Sequence, residues 1–265
     1  MIDFMNKNFT QKHLFFLALS CLLTSSMVWA QTPGGIANTN IKLWLKADSG
    51  VTNVAGVKQW NDLGPAGKHL IQNTANARPV YNTASNLVNY NPTVKFDGSN
   101  DFMSVTPGIL GTATYNNMNV FMVRNVPSNS NALAFTERCN PYHFAGYSPW
   151  GDANMYWDGG HYVAPYRQSV NWGGTFGIPQ QISLSYDVTP TKSQTIRRNG
   201  KQLISDATAT AFQGTNQPFY LGRWHAGGYH DNAFVSEMLV VGGILTATER
   251  LKIESYLALK YGITI

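Results

Sequence analysis

The fold class is decided by two adjacent stretches of sequence, Gln181-Ile-Ser-Leu-Ser-Tyr-Asp-Val188 and Thr195-Ile-Arg-Arg-Asn-Gly-Lys-Gln-Leu-Ile204. The first alternates apolar and polar residues, which predicts a β-strand with one buried face. The second holds Asn199-Gly200 between two short runs, and this dipeptide is the strongest short signal for a two-residue β-hairpin. Together they predict antiparallel β-structure, with the apolar residues of the first stretch facing the interior.

Similar short runs recur from residue 41 towards the end of the chain. Turn-forming residues separate them at intervals of about ten to twenty positions, which predicts an all-β sandwich or barrel. The wholly apolar run Val120-Phe-Met-Val123 is typical of a central strand. The other clear strand candidates are Ile41–Leu45, Thr93–Phe96, Phe219–Leu221 and Ala233–Val241.

One helix is predicted, at the C-terminus. Thr246-Ala-Thr-Glu249 is a capping box, in which the threonine hydroxyl and the glutamate carboxylate each satisfy a free backbone N–H. Gly262 suits the left-handed position that ends many helices. Four large residues share one face of this helix at the helical spacing, namely Ile253, Tyr256, Leu257 and Tyr261.

Residues 1–30 have the features of a secretory signal peptide. Lys7 and Lys12 give a positive start, and a run of apolar and small residues follows from Leu14 to Leu23. Val28-Trp29-Ala30 offers a cleavage site, so we expect the mature chain to begin near Gln31. Residues 31–40 are rich in Gly, Pro, Asn and Thr, and their composition predicts a flexible lead-in to a domain that covers residues 41–265.

Two other interpretations of the N-terminus are weaker. A transmembrane anchor needs about 20 apolar residues, and Ser20, Thr24 and the serines after it interrupt this stretch. A lipid anchor on Cys21 is a second alternative, but Ala18 stands where a lipoprotein signal usually has leucine. The expected location is therefore secreted, periplasmic or at the cell surface, with no membrane span left after removal of the signal.

The composition argues against two further classes of protein. The net charge of +5 is spread along the chain, and Arg197-Arg198 is the only adjacent basic pair after the signal, whereas nucleic-acid binders concentrate positive charge on one face. Without the signal Cys139 is the only cysteine, so no internal disulfide can form. The core must therefore come from packing, which the 43% hydrophobic content allows.

Several segments resemble bacterial laminin-G-like, concanavalin A-like domains. Near the start they are Leu43-Trp-Leu-Lys-Ala-Asp-Ser-Gly-Val51 and Asn91-Pro-Thr-Val-Lys-Phe-Asp-Gly-Ser-Asn-Asp-Phe102. The most specific is Ile253-Glu-Ser-Tyr-Leu-Ala-Leu-Lys-Tyr-Gly-Ile-Thr264, which closely resembles the ending found on large bacterial surface proteins. The resemblance implies a jelly-roll sandwich of two antiparallel sheets with one C-terminal helix, in a family that includes lectins, adhesion modules, glycoside hydrolases and polysaccharide lyases.

The residues favour a binding module over an enzyme. A glycosidase of this fold would place closely spaced carboxylates on one strand, as in Glu-x-Asp-x-x-Glu, and no such motif is present. Glu237 is the only acid on its strand, where a strict alternation would put it on the same face as Val235 and Leu239. We interpret it as a structural, hydrogen-bonded carboxylate. A carbohydrate-active enzyme and a purely structural surface module remain the alternatives.

Two aspartates are the metal candidates. Asp97 and Asp101 flank a Gly-Ser-Asn turn, and clustered carboxylates in a loop are ligands that Ca²⁺ prefers. Because Asp-Gly is also an ordinary turn, a structural calcium ion and a plain turn are both open.

The segment from Cys139 to Phe176 holds ten aromatic residues together with Asp, Asn, His and Arg. Flat rings beside such polar groups suit sugars, whose C–H faces stack while their hydroxyls form hydrogen bonds. We therefore predict that a glycan or another extracellular partner binds here, although rings of this kind also fill the interiors of β-proteins. The candidate stacking platforms are Trp150, Tyr156, Trp157, Tyr162 and Trp172, and the candidate hydrogen-bonding residues are Asp158, His161 and Arg167.

Overall fold

Eighteen β-strands and one α-helix form the part of the chain that the computed structural model describes, residues 32–83, 88–206 and 208–265. The predicted signal peptide, residues 1–30, lies outside these ranges. Within them, no helix has both the length and the apolar character that crossing a membrane requires. The strands are β1 (Ile41–Lys46), β2 (Val51–Asn53), β3 (Val57–Trp60), β4 (Leu70–Ile71), β5 (Val80–Asn82), β6 (Thr93–Asp97), β7 (Met103–Val105), β8 (Thr114–Tyr115), β9 (Asn117–Asn125), β10 (Leu133–Asn140), β11 (His143–Tyr147), β12 (Asn154–Gly159), β13 (Arg167–Asn171), β14 (Pro179–Asp187), β15 (Ser193–Arg198), β16 (Lys201–Asp206), β17 (Phe212–Leu221) and β18 (Asn232–Gly242), and the helix is α1 (Ala247–Tyr261).

The strands form two antiparallel sheets. In the first sheet the order is β16-β15-β14-β9-β18-β6-β5, and β1 also pairs with β18. In the second sheet the order is β13-β12-β11-β10-β17-β7-β4-β3-β2, and β8 also pairs with β17. The main hydrophobic core contains residues from both sheets, so the two sheets pack face to face. The predicted β-sandwich of two antiparallel sheets with one C-terminal helix is confirmed.

The hairpin that decided the fold class is present. Strands β15 and β16 pair directly across Asn199-Gly200, with Arg198 opposite Lys201. Asn199 and Gly200 have φ angles of 48° and 71°, and two successive positive φ angles are what a type I′ turn requires. Before the turn, the apolar face of β14 is buried in the core, as its alternation predicts.

The wholly apolar run in β9 is a central strand, because β9 lies between β14 and β18. Its side chains serve two hydrophobic layers. Val120 and Met122 point into the core between the sheets, whereas Phe121 and Val123 belong to a separate cluster that includes the helix. This arrangement explains why the run contains no polar residue.

Helix α1 covers the outer face of the first sheet. Thr246 and Glu249 form the predicted capping box, and Gly262 ends the helix with a φ of 66°. The apolar face packs on the sheet through Ile253, Leu257 and Tyr261, which are all at most 2% exposed, with Tyr256 partly buried beside them.

Residues 33–40 differ from the flexible lead-in that their composition predicts. The segment contains two short 3₁₀ turns, Pro33–Gly35 and Asn38–Asn40, and Ile36 is buried in the cluster between the helix and the first sheet. A Cβ on Gly34 would approach the backbone of Lys252 to 2.7 Å, which shows how closely this segment lies against the helix. The segment therefore lies against the helix, with Ile36 buried in the cluster.

Glu237 is a structural carboxylate that shares its face with Leu239, as the alternation predicts, but not with Val235. A β-bulge between Val235 and Glu237 shifts the register of β18, so Val235 faces the core while Glu237 faces the helix. The carboxylate is fully buried and is satisfied by four side-chain donors. They are Trp44 Nε1 at 2.7 Å, Tyr256 OH at 3.1 Å, Lys260 Nζ at 2.8 Å and Tyr261 OH at 2.8 Å.

Glu137, on the inner face of β10, is a second buried carboxyl. Its oxygens accept hydrogen bonds from the backbone N–H groups of Ile109 at 2.7 Å and Leu110 at 3.1 Å. Burial raises the pKa of Glu137 to about 8, although these two hydrogen bonds favour the ionised form. The folded protein therefore holds this proton more tightly than the unfolded chain does.

We predict that Glu137 weakens the fold as the pH rises from about 5 to 8. In the unfolded chain the carboxyl has an ordinary pKa of 4.5, so it ionises at a lower pH than in the folded protein. Its favourable contribution is therefore greatest below pH 4.5 and is lost as the pH approaches 8. Urea unfolding of the wild type and of Glu137→Gln at several pH values measures this. The wild type should lose stability relative to the variant over that range, and identical pH profiles would contradict the prediction.

Candidate functional site

A cavity of about 630 Å³ opens on the outer face of the second sheet, opposite the core. This volume lies within the range of small-molecule sites in proteins, about 300–1,000 Å³. Its walls are mostly aromatic and basic, and no Asp or Glu belongs to them. The lining residues are Leu133, Arg138, Pro141, Tyr142, His143, Tyr147, Trp150, Tyr156, Tyr162, Arg167, Trp224, His225, Ala226 and Tyr229.

The alternation of side chains along β11 and β12 builds this cavity. Phe144 on β11 and Trp157 on β12 point into the core, so their neighbours His143, Tyr156 and Asp158 lie on the opposite face of the sheet. Aromatic residues occupy both faces of these strands. The aromatic-rich segment therefore supplies part of the core and part of the cavity.

Two of the predicted stacking platforms are core residues. Trp157 is fully buried, and its indole N–H donates to the carbonyl oxygen of Ser185 at 3.1 Å. Trp172 is 2% exposed and stacks on Phe176. Neither indole can reach a ligand, so their prediction as binding residues was wrong. Trp157 alternates along β12 with Tyr156, so the two rings lie on opposite faces of the sheet, one in the core and one in the cavity.

The remaining predicted residues lie in or beside the cavity. Trp150, Tyr156, Tyr162 and Arg167 line it. His161 is not among the lining residues. Its ring contacts Tyr142, which does line the cavity, and Tyr166, with ring centroids 5.8 Å and 4.7 Å away, and burial lowers its pKa.

Asp158 lies beneath the cavity in a network of charged and polar groups. It is fully buried, and its two oxygens accept hydrogen bonds from Arg167 Nε and Nη2, both at 2.7 Å. His143 Nε2 lies 2.9 Å from the same carboxylate, and Arg167 Nη2 also donates to the hydroxyl of Tyr147 at 2.7 Å. These partners therefore compensate the negative charge of Asp158 within the protein.

The same network fixes Arg167 against two rings. Burial alone would lower the pKa of Arg167, but the hydrogen bonds and the charge of Asp158 raise it. Burial and the charge of Asp158 also raise the pKa of Tyr147. The guanidinium lies 4.9 Å from the ring centroid of Tyr147 and 5.0 Å from that of Tyr156, in cation–π geometry. The cavity thus has a preorganised floor.

Sequence reasoning missed one wall of the cavity. Trp224, His225 and Tyr229 come from the turn between β17 and β18, far from the aromatic-rich segment in sequence. The backbone of Tyr229 has a positive φ of 49°, a conformation that costs energy for an aromatic residue and often marks a functional loop. The available signal was the run Trp224-His-Ala-Gly-Gly-Tyr229, which places rings around a glycine pair.

The two aspartates predicted as calcium ligands accept hydrogen bonds from backbone N–H groups of their own turn. Asp97 Oδ1 accepts hydrogen bonds from the backbone N–H groups of Ser99, Asn100 and Asp101, and Asp101 Oδ2 accepts one from Asp97 N. Burial and the charge of Asp97 raise the pKa of Asp101 to about 6. Among the described residues, no third acid, histidine or cysteine joins them in a group that could hold a metal ion. This geometry fits a turn better than a calcium site.

Solved structures share the fold at low sequence identity. The binding domain of botulinum neurotoxin serotype D matches with a TM-score of 0.58 at 12% identity, over 86% of this chain and 55% of that one. Domain 4 of AbnA, a GH43 extracellular arabinanase from Geobacillus stearothermophilus, solved with arabinotriose, matches at 0.54 and 13% identity, over 84% of this chain and 98% of that one. A GH54 α-L-arabinofuranosidase matches at 0.55 and 12% identity, over 77% and 51% of the two chains.

These likenesses are to the fold alone. This chain spans about half the length of neurotoxin binding domains that it matches, with 55% of one serotype D domain and 51% of one serotype G domain covered. No protein-family model matches the sequence, and no curated protein does either. The comparisons therefore support the jelly-roll-like β-sandwich predicted from the sequence.

Proposed function

We propose that the protein is an exported, non-catalytic, laminin-G-like module that binds carbohydrate in the cavity on its second sheet. The observation that carries this proposal is the lining itself, in which seven tyrosines and tryptophans surround arginine and histidine side chains. Apolar C–H faces of sugar rings stack on such aromatic faces, while their hydroxyls need donors and acceptors nearby. An outward-facing groove that keeps this volume open is also difficult to explain for a purely structural module.

The lining argues against the enzymatic alternative. Hydrolysis of a glycosidic bond generally uses two carboxyl groups that flank it. No Asp or Glu lines the cavity, and the nearby Asp158 is fully buried and paired with Arg167 and His143. Binding without hydrolysis is therefore the function that these groups support best.

The structural neighbours agree with a binding role at the level of fold. One is named a neurotoxin binding domain, another was solved with arabinotriose, and a further serotype D domain was solved with N-acetylneuraminic acid. Export remains part of the proposal, supported by the charged start, the apolar run and the Ala30 site of residues 1–30.

Trp150→Ala is expected to weaken glycan binding about five- to tenfold. The indole of Trp150 lies at one side of the cavity, with its ring centroid 5.6 Å from that of Tyr147 and 5.5 Å from that of Tyr229. Loss of one stacking platform should cost about 1 kcal/mol of binding free energy. An array of neutral and acidic oligosaccharides would identify bound glycans, and calorimetric titration of the strongest one would measure the change.

Tyr90→Ala is the matched control, because it removes a 75% exposed ring that does not line the cavity. It should bind as the wild type does. Tyr162→Ala provides a second test within the cavity if Trp150→Ala fails to fold, since Tyr162 is 42% exposed. Equal affinity of the cavity variants and the wild type, or an array without any bound glycan, would refute the proposed function.

A further inference from the structure

One end of the cavity carries a positive charge that the protein does not compensate. Arg138 projects from β10 into the cavity, and its guanidinium has neither a carboxylate within 4 Å nor a hydrogen-bond partner among the described residues. The other lining arginine, Arg167, differs because Asp158 neutralises it. A ligand in the cavity therefore meets a free guanidinium beside a floor that is already paired.

Two histidine rings lie at the same end of the cavity as Arg138. His225 lies beside His143, with ring centroids 5.6 Å apart, and its Nδ1 is 3.4 Å from Thr136 Oγ1. Burial, followed by electrostatic repulsion from His143 and Arg138, lowers the pKa of His225 to about 4. His225 is therefore neutral at pH 7, and Arg138 alone supplies the free charge at this end.

A row of aromatic rings leads away from the charged end. The ring of Trp224 lies 5.1 Å from that of His225 and 5.6 Å from that of Tyr229, and Tyr229 in turn contacts Trp150 at 5.5 Å. Arg138 lies at the charged end of the cavity and Leu133 at the aromatic end. Both are on β10, five residues or roughly 15 Å apart at the usual strand rise. The cavity thus offers an anion site followed by stacking surfaces.

We propose that this cavity selects acidic glycans, with a sugar carboxylate on Arg138 and adjacent sugar rings over Trp224, Tyr229 and Trp150. The inference rests on the proposed function and specifies its ligand class. A guanidinium presents paired N–H donors that match the two oxygens of a carboxylate, and such charged hydrogen bonds are stronger than those to neutral sugars.

The test uses carbohydrate pairs that differ only in charge, printed on one array. Suitable pairs are polygalacturonate with its methyl ester and sialyllactose with its methyl ester. Heparin and its desulfated form, which both keep their uronate carboxylates, test for a response to sulfate alone. We expect the wild type to bind a carboxylate-bearing member about tenfold or more above its neutral partner, since a charged hydrogen bond is worth at least this factor. Arg138→Gln should reduce that ratio to about two or less while binding of the neutral partner persists.

Lys201→Gln is the control for net charge, because Lys201 is an exposed residue on β16 of the first sheet. This variant should keep the full preference. Equal binding within every pair, a preference confined to the sulfated pair, or a preference that survives Arg138→Gln would each overturn the inference. If neutral glycans still bind through Trp150, the proposed function stands and only the acidic specificity fails. If no carbohydrate binds at all, both fail.

Discussion

Replacing Glu237 with leucine should destabilise the protein by about 3–5 kcal/mol. The carboxylate is fully buried between helix α1 and the first sheet, where it accepts hydrogen bonds from Trp44, Tyr256, Tyr261 and Lys260. Leucine would leave the three aromatic donors unpaired, and Lys260 would keep only its ion pair with the partly exposed Asp48 at 3.0 Å. Breaking a buried, hydrogen-bonded ion pair typically costs this much. For a chain of this size the expected fall in melting temperature is about 10 °C.

Thermal unfolding followed by circular dichroism measures this effect. Glu237→Gln serves as the graded variant, because an amide oxygen still accepts hydrogen bonds while the charge is lost, and it should cost less than leucine. Leu259→Ala is the control on the same helix, since Leu259 is 82% exposed and its loss should leave the melting temperature nearly unchanged. A melting temperature of Glu237→Leu within about 2 °C of the wild type would contradict the prediction.

The fold could be predicted from the sequence because its signals are local. A period of two along β14, the Asn199-Gly200 turn and the Thr246–Glu249 capping box each act over a few residues, and all three are present. The face of Glu237 could not be predicted in the same way. A single bulged residue at Ser236 reverses the alternation of β18, and a bulge depends on pairing with β9 and β6 rather than on β18 itself.

The candidate site could be predicted only in part, for a related reason. On β12, Met155 and Trp157 face the core while Tyr156 and Asp158 face the cavity. Both faces carry large apolar groups, so alternation separates them without telling which face is inside. The wall that holds Trp224 and Tyr229 comes from a distant turn, and only the pairing of β10 with β17 brings it to the cavity.

Replacing Asp158 with alanine should have the largest combined effect on stability and binding. Asp158 is fully buried and holds Arg167 and His143, so its loss leaves one guanidinium and one buried imidazole without their partner. Because the side chain of Arg167 is 26% exposed, water can replace part of the lost interaction, and we expect a cost of roughly 3 kcal/mol, at the lower end for a broken buried pair. The released Arg167 should also leave its position over Tyr147 and Tyr156, so glycan binding should fall more than tenfold.

A double-mutant cycle separates this network from simple loss of packing. If Asp158 stabilises the floor by pairing with Arg167, the variant that combines Asp158→Ala with Arg167→Met should be more stable than Asp158→Ala alone, because no unpaired guanidinium remains. Urea unfolding gives the free energies of the four proteins, and titration with the strongest array glycan gives their affinities. Strictly additive losses would show that the two residues act independently. A stable Asp158→Ala variant with unchanged affinity would remove the network from the cavity's function altogether, because the rings would then keep their positions without the charges beneath them.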